Sequence, residues 1–156
     1  MEKTLVILKP DCVARRLVGK IIQRFEQKGL QIVGMKLTTI SPSLAQTMYA
    51  EHEGEEFYEP LIRFMTGGPV VVMCLRGKGA IGIVRVMLGP TFGPDAPAGT
   101  IRGDFGMSKR YNLVHGSDGP ESAERELALF FEPGELVDGP QPDLAHVYDT
   151  TGPELV

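Results

Sequence analysis

The sequence predicts an α+β sandwich of the ferredoxin-like kind, in which helices cover a four-stranded antiparallel sheet. Three observations predict it. Four short segments carry strand patterns, and helical patterns separate them. Two of those helical stretches read as crossovers, with a neighbouring strand pair between them. At 156 residues the chain is the length of one domain with one continuous fold, and it contains no internal repeat.

The elements follow in order. Residues 4–8 (TLVIL) are apolar and partly β-branched, as in a buried strand. Lys9-Pro10-Asp11 ends that strand, and Asp11 is placed to cap a helix whose apolar stripe is Val13, Leu17, Val18, Ile21, Ile22 and Phe25. Gly29 closes the helix. Residues 30–38 form the second strand. Ser41-Pro42 opens a helix through Tyr49, and residues 57–65 form another. The continuous apolar run 70–75 is a central strand, followed by a helix over 80–88. Residues 89–106 hold five glycines and three prolines, which predicts a long functional loop. A short strand is expected at 112–115, then a helix over 122–131 opened by Asp118. The domain is expected to end near residue 135. Residues 136–156 are expected to be an irregular tail that docks on a surface, a neighbouring subunit being one candidate.

Composition narrows the function. The chain is 42% hydrophobic and 23% charged, as in ordinary globular proteins, and its net charge of −4 argues against nucleic acid as a partner. The first residues have neither the apolar length nor the cleavage pattern of a secretory leader, and no apolar run nears the ~20 residues that span a bilayer. Cys12 and Cys74 form no CxxC pair or disulfide framework, which fits a reducing cytoplasm. The three histidines lack metal-ligand spacing, no GxxxxGK[ST] loop occurs, and no aromatic-rich RNA-binding run lies on the strands. Gly77-Lys78-Gly79-Ala80-Ile81-Gly82 matches a dinucleotide-binding turn. The Gly/Pro loop nevertheless stands where the required parallel strand should follow.

Several residues could carry chemistry. Glu126 is three residues after Ala123 and four before Phe130, on or beside the apolar face of the last helix. A carboxylate there needs a partner. His115, in the turn before that helix, can supply one, since a carboxylate fixes an imidazole's tautomer and raises its nucleophilicity. The spacing equally allows Glu126 to reach solvent at the stripe's edge. His115-Gly116-Ser117-Asp118 lies between strand and helix, where backbone N–H groups favour anions. A plain turn with capping residues is the alternative. Lys9 sits at a strand–helix junction of the same kind. Arg85 precedes the long loop, and Arg102, Thr91 and Thr100 lie within it, a composition suited to closing over phosphates.

The specific residues go further. Residues 4–18, with Lys9-Pro10-Asp11 and Leu17-Val18-Gly19, resemble the opening of nucleoside diphosphate kinases. So do Arg24-Phe25-Glu26, Lys28-Gly29, Gly68-Pro69-Val70-Val71, residues 99–105 (GTIRGDF) and residues 112–118 (NLVHGSD). The similarity runs from about residue 3 to residue 135. It implies a ping-pong reaction in which His115 carries the γ-phosphoryl group between nucleotides. It also implies that Glu126 holds the other ring nitrogen of His115, with Ser117 supporting Glu126. Arg85, Thr91 and Arg102 match phosphate-binding residues, Lys9 and Asn112 the pair at the ribose 3′-hydroxyl and nearby phosphate, and Tyr49 a residue packed near the histidine. Phe57 matches the aromatic on which any base stacks. Mg²⁺ is implied as a companion of the nucleotide phosphates, with no protein metal cage, and a homo-oligomer, tetramer or hexamer, is implied as the assembly. A regulatory relative that keeps the site is the competing reading. Gly119, Gly68, Phe92-Gly93 and Ala98 depart from the usual pattern, the last two in a loop that in the family also makes subunit contacts.

Overall fold

Alternation along the first strand divides its side chains between two cores. The computed structural model describes all residues 1–156. In β1 (Glu2–Leu8), Val6 and Leu8 face one core while Leu5 and Ile7 face the other, all of them fully buried. The first core gathers Ile21 and Phe25 from α2 (Val18–Gln27) and Ala80, Val84 and Leu88 from α5 (Ala80–Leu88). The second gathers Ala45 and Met48 from α3 (Pro42–Met48), Ile62 and Met65 from α4 (Tyr58–Met65) and Phe130 from α7 (Pro120–Phe130). Burying each such large side chain stabilises the fold by roughly 1.5–3 kcal/mol before chain entropy is counted.

The strands β1, β2 (Gln31–Thr39), β3 (Pro69–Gly77) and β4 (Val114–Gly116) lie in the order β2-β3-β1-β4, and all pairs are antiparallel. This is the expected ferredoxin-like sheet. The antiparallel β4 also removes the dinucleotide-binding reading, because no parallel strand follows the turn at Gly77–Gly79.

Several local expectations need correction. The single helix expected after Asp11 is two, α1 (Pro10–Ala14) and α2. Arg16, at φ 57°, takes the left-handed position that ends α1; its N–H donates to Val13 O and that of Leu17 to Cys12 O. Such helix ends usually carry glycine, so nothing in Arg15-Arg16-Leu17 announced one. Gly29 ends α2 with the same pair of bonds, at φ 88°. Asp11 is not the N-cap residue: Lys9 holds that position and makes no side-chain cap bond, and Asp11 lies in the first turn. The long loop is not structureless. It contains a 3-10 turn (Gly93–Asp95) and α6 (Ile101–Phe105), whose N-cap Thr100 accepts from Gly103 N–H at 3.0 Å. At the start of α7 the N-cap is Gly119, while Asp118 accepts from the Ser122 hydroxyl at 2.5 Å.

The tail folds back on its own chain. Val137 N–H donates to Val33 O of the edge strand β2 at 2.7 Å, and Asp138 pairs with Lys3 and Arg76. Leu136 fills space over Gly34 where a Cβ would sit 2.6 Å from it. The tail's one regular element is the four-residue α8 (Leu144–Val147).

Candidate active site

The β1–β4 register builds the site. Ile7 lies opposite His115 and Leu8 opposite Val114, so Lys9, one step past the strand, falls beside Leu113 and Asn112. The Lys9 N–H donates to Leu113 O at 2.8 Å. Directly opposed residues share a face, so the His115 ring points toward the core of α3, α4 and α7. There His115 Nε2 meets Glu126 Oε2 of α7 at 3.0 Å. The Ser117 hydroxyl donates to the same oxygen at 2.7 Å and accepts from Leu5 N–H at 3.2 Å. Glu126 and Ser117 are buried and His115 is partly exposed. Burial pushes the Glu126 carboxyl up, but the hydrogen bond and charge of His115 and the Ser117 hydroxyl together hold it below its ordinary value. Glu126 therefore stays ionised and accepts from Nε2–H, which leaves the lone pair on Nδ1. The Tyr49 ring stands edge-on to His115 at 6.4 Å between centroids, its hydroxyl buried without a partner and its ionisation pushed up by burial and by Glu126.

A second group gathers where the chain enters β4. Lys9 Nζ donates to Asn112 Oδ1 at 2.7 Å, and Asn112 Nδ2 donates to Thr91 O at 3.0 Å. Arg102 spans the group with Nε on Asn112 O (3.3 Å), Nη1 on Gly89 O (2.7 Å) and Nη2 on Val114 O (2.7 Å). Lys9, Arg102 and Asn112 are all buried. Burial first, then the neighbouring Arg102, lowers the Lys9 ammonium to about 8, with Asp11 partly opposing. Burial and Arg85 lower Arg102 to about 10. Two cations that cannot pair with each other have a reason to receive an anion.

The remaining predicted residues are at the edges. Arg85 on α5 is exposed and makes no side-chain bond, although its charge reaches both Arg102 and Asp118. Thr91 contributes its carbonyl to Asn112, and its side chain is exposed. Phe57 immediately precedes α4, is 45% exposed, and its ring stands edge-on to His52 at 5.3 Å between centroids. A surface groove of about 650 Å³ beside the start of α7 is walled by Glu51, Asp118 and Glu121 with Arg125, and none of the predicted site residues lines it. Sequence reasoning missed the part played by Asp11, whose Oδ2 accepts from Leu113 N–H at 3.1 Å. Its place two residues after Lys9 was the available signal.

An imidazole oriented by a buried carboxylate, next to buried cations, defines a phosphotransferase built on a ferredoxin-like sheet. The nucleoside diphosphate kinase family model matches residues 2–136, and the chain belongs to that family. It is 50% identical to the nucleoside diphosphate kinase of Synechococcus sp. over 96% of this chain and 100% of that one. It is 52% identical to that of Methanocaldococcus jannaschii, over 88% and 98% of the two chains. A solved structure of a halophilic nucleoside diphosphate kinase from Halobacterium salinarum in complex with CDP superposes with a TM-score of 0.93 at 47% identity, covering 95% of this chain and 99% of that one.

Proposed function

We propose that this enzyme transfers the γ-phosphoryl group of a nucleoside triphosphate, typically ATP, to a nucleoside diphosphate through phosphorylated His115. The observation that carries this is the pairing of His115 Nε2 with Glu126, which leaves Nδ1 as the nucleophile. Nδ1 attacks the γ-phosphorus, the N–P bond forms, and the bridging P–O bond to the β-phosphate breaks. The diphosphate leaves with that electron pair. The imidazolium so formed keeps its Nε2–H on the Glu126 carboxylate, which stabilises the charge as it develops. A terminal oxygen of a second diphosphate then reverses the sequence.

Lys9, Arg102, Arg85 and Thr91 are assigned to phosphate, Lys9 and Asn112 to the ribose 3′-hydroxyl, and Tyr49 to packing beside the histidine. Phe57 is assigned to the base, which it meets by stacking, so base choice is broad. No cluster of three His, Cys, Asp or Glu side chains able to hold a metal is present, and the donors at the site are mostly cationic. With cationic side chains at the site, Mg²⁺ would be held by the nucleotide phosphates and would neutralise part of their charge. The family resemblance supports a homo-oligomer, tetramer or hexamer, and a catalytic domain of residues 1–135 followed by the tail. No helix is long and apolar enough to cross a membrane. Together with two free, buried cysteines, this supports a cytoplasmic enzyme. A coupled assay with ATP and a panel of purine and pyrimidine diphosphates tests the reading. Every base should accept phosphate, and strict use of one base contradicts it.

A further inference from the structure

Leu113 is a buried leucine at φ +72°, a region bulky side chains avoid. Val114 N–H donates to Asn112 O at 2.8 Å, so residues 112–114 form a γ-turn of the strained, positive-φ kind. A strained turn persists only where its surroundings over-determine it. Here they do. Leu113 O accepts from Lys9 N–H, and Asn112 O and Val114 O both accept from Arg102. The remaining backbone donor, Leu113 N–H, goes to Asp11 Oδ2 at 3.1 Å.

Asp11 occupies the first turn of α1, where a carboxylate ordinarily serves its own helix. Instead it reaches across to Leu113, and its second oxygen, Oδ1, is buried without a hydrogen-bond partner. A carboxylate held in so unfavourable a place needs a use. We infer that Asp11 is a positioning residue for phosphoryl transfer, whose carboxylate latches the strained turn and so fixes Asn112 on one side of Leu113 and His115 on the other. The inference rests on the phosphohistidine reading. Arg102 also clamps the turn, but its donors face competition from a bound phosphate. Asp11 is the side-chain contact to the turn that phosphate does not contest, so it keeps the geometry constant through the catalytic cycle.

Three variants separate the latch from bulk structure and from the charge that Asp11 places near Lys9. The readout is the single-turnover rate of protein phosphorylation by ATP, with thermal melting as the check on folding. His115→Ala, run in parallel, tests the phosphohistidine reading separately. Asp11→Ala is expected to slow phosphorylation by roughly ten- to a hundredfold, the scale of a small misplacement of reacting groups, with KM for ATP less affected than kcat. Asp11→Asn keeps an oxygen acceptor for Leu113 N–H, and its rate is expected within about threefold of wild type. Glycine takes φ +72° freely, so in a Leu113→Gly background Asp11→Ala is expected to cost less than about threefold. If Asp11→Ala does not fold, the Asp11→Asn rate decides. An Asp11→Ala rate near wild type, an Asp11→Asn rate more than about tenfold down, or an undiminished loss in the Leu113→Gly background overturns the latch.

Discussion

The two ends of the site are built to opposite standards. Around His115 several side chains are held in place: Glu126 is shared by His115 and Ser117, Asn112 is held at both ends of its amide, and all three nitrogens of Arg102 are engaged. Around Phe57 almost nothing is fixed. Its ring is 45% exposed and stands edge-on to His52. The difference follows from what each end must do. Transfer of a phosphoryl group gains from donors already in place, because they need not reorganise as charge moves. A base that need only be covered gains nothing from a fixed frame. Under the proposed assignment, rate and breadth of substrate reside in different residues.

Substitutions should therefore divide by end. The largest effect after loss of His115 itself is expected for Glu126→Ala, which frees the His115 tautomer. Phosphorylation should slow by at least about a hundredfold in rapid-quench measurements, for every nucleotide alike. A loss of only a few fold would mean that the buried carboxylate serves packing. Arg102→Ala removes charge-assisted donors and takes the donor from the Gly89 and Val114 carbonyls. Its kcat/KM should fall by roughly ten- to a hundredfold, the equivalent of about 1.5–3 kcal/mol, and its melting temperature should fall with it. An unchanged rate would remove Arg102 from the phosphate site.

Lys9 sharpens the comparison through pH. Its ammonium is charged below about pH 8 and neutral above, so kcat/KM should decline by about tenfold per pH unit beyond that value. Stability should move the other way. Because burial lowers the Lys9 pKa from 10.5 to about 8, the unfolded chain binds more protons between those values. The wild type should then gain stability relative to Lys9→Met as pH rises from about 8 to 10.5, having carried the cost of a buried ammonium below that window. Paired pH-rate and pH-melting curves would show both signs, and parallel curves would break the assignment. The smallest effect belongs to the open end. Phe57→Ala should raise KM by about fivefold, near the lower limit for one stacked face, without changing the order of base preference. A change confined to one base would mean that this end reads base edges after all.

The same contrast explains what could be read from the sequence. The sheet was legible because its strands alternate or run apolar, and their burial follows directly. His115 and Glu126 were legible because a carboxylate on an apolar helix face is anomalous whatever the fold. The break at Arg16 and the turn at Leu113 were not, since neither position carries the glycine that a positive φ usually demands. Tertiary contacts hold them there. Asp11 looked like a cap because local rules favour one, and only the approach of β4 to the end of β1 offers it Leu113 instead. Composition also failed to separate the two Gly/Pro-rich segments. Residues 89–106 wrap a buried Arg102 and a capped helix, whereas the tail lies on the surface, held by the Val137–Val33 backbone bond, by Leu136 over Gly34 and by the pairing of Asp138 with Lys3 and Arg76.

Whether His115 carries the phosphoryl group can be tested without any assumption about base or assembly. The full-length protein is incubated with γ-labelled ATP and Mg²⁺, then digested, and the labelled peptide is located by mass spectrometry. One acid-labile, base-stable phosphate is expected on His115, discharged on adding any nucleoside diphosphate, with only background label on His115→Ala. Label on another residue, or sustained transfer between nucleotides by His115→Ala, would contradict it.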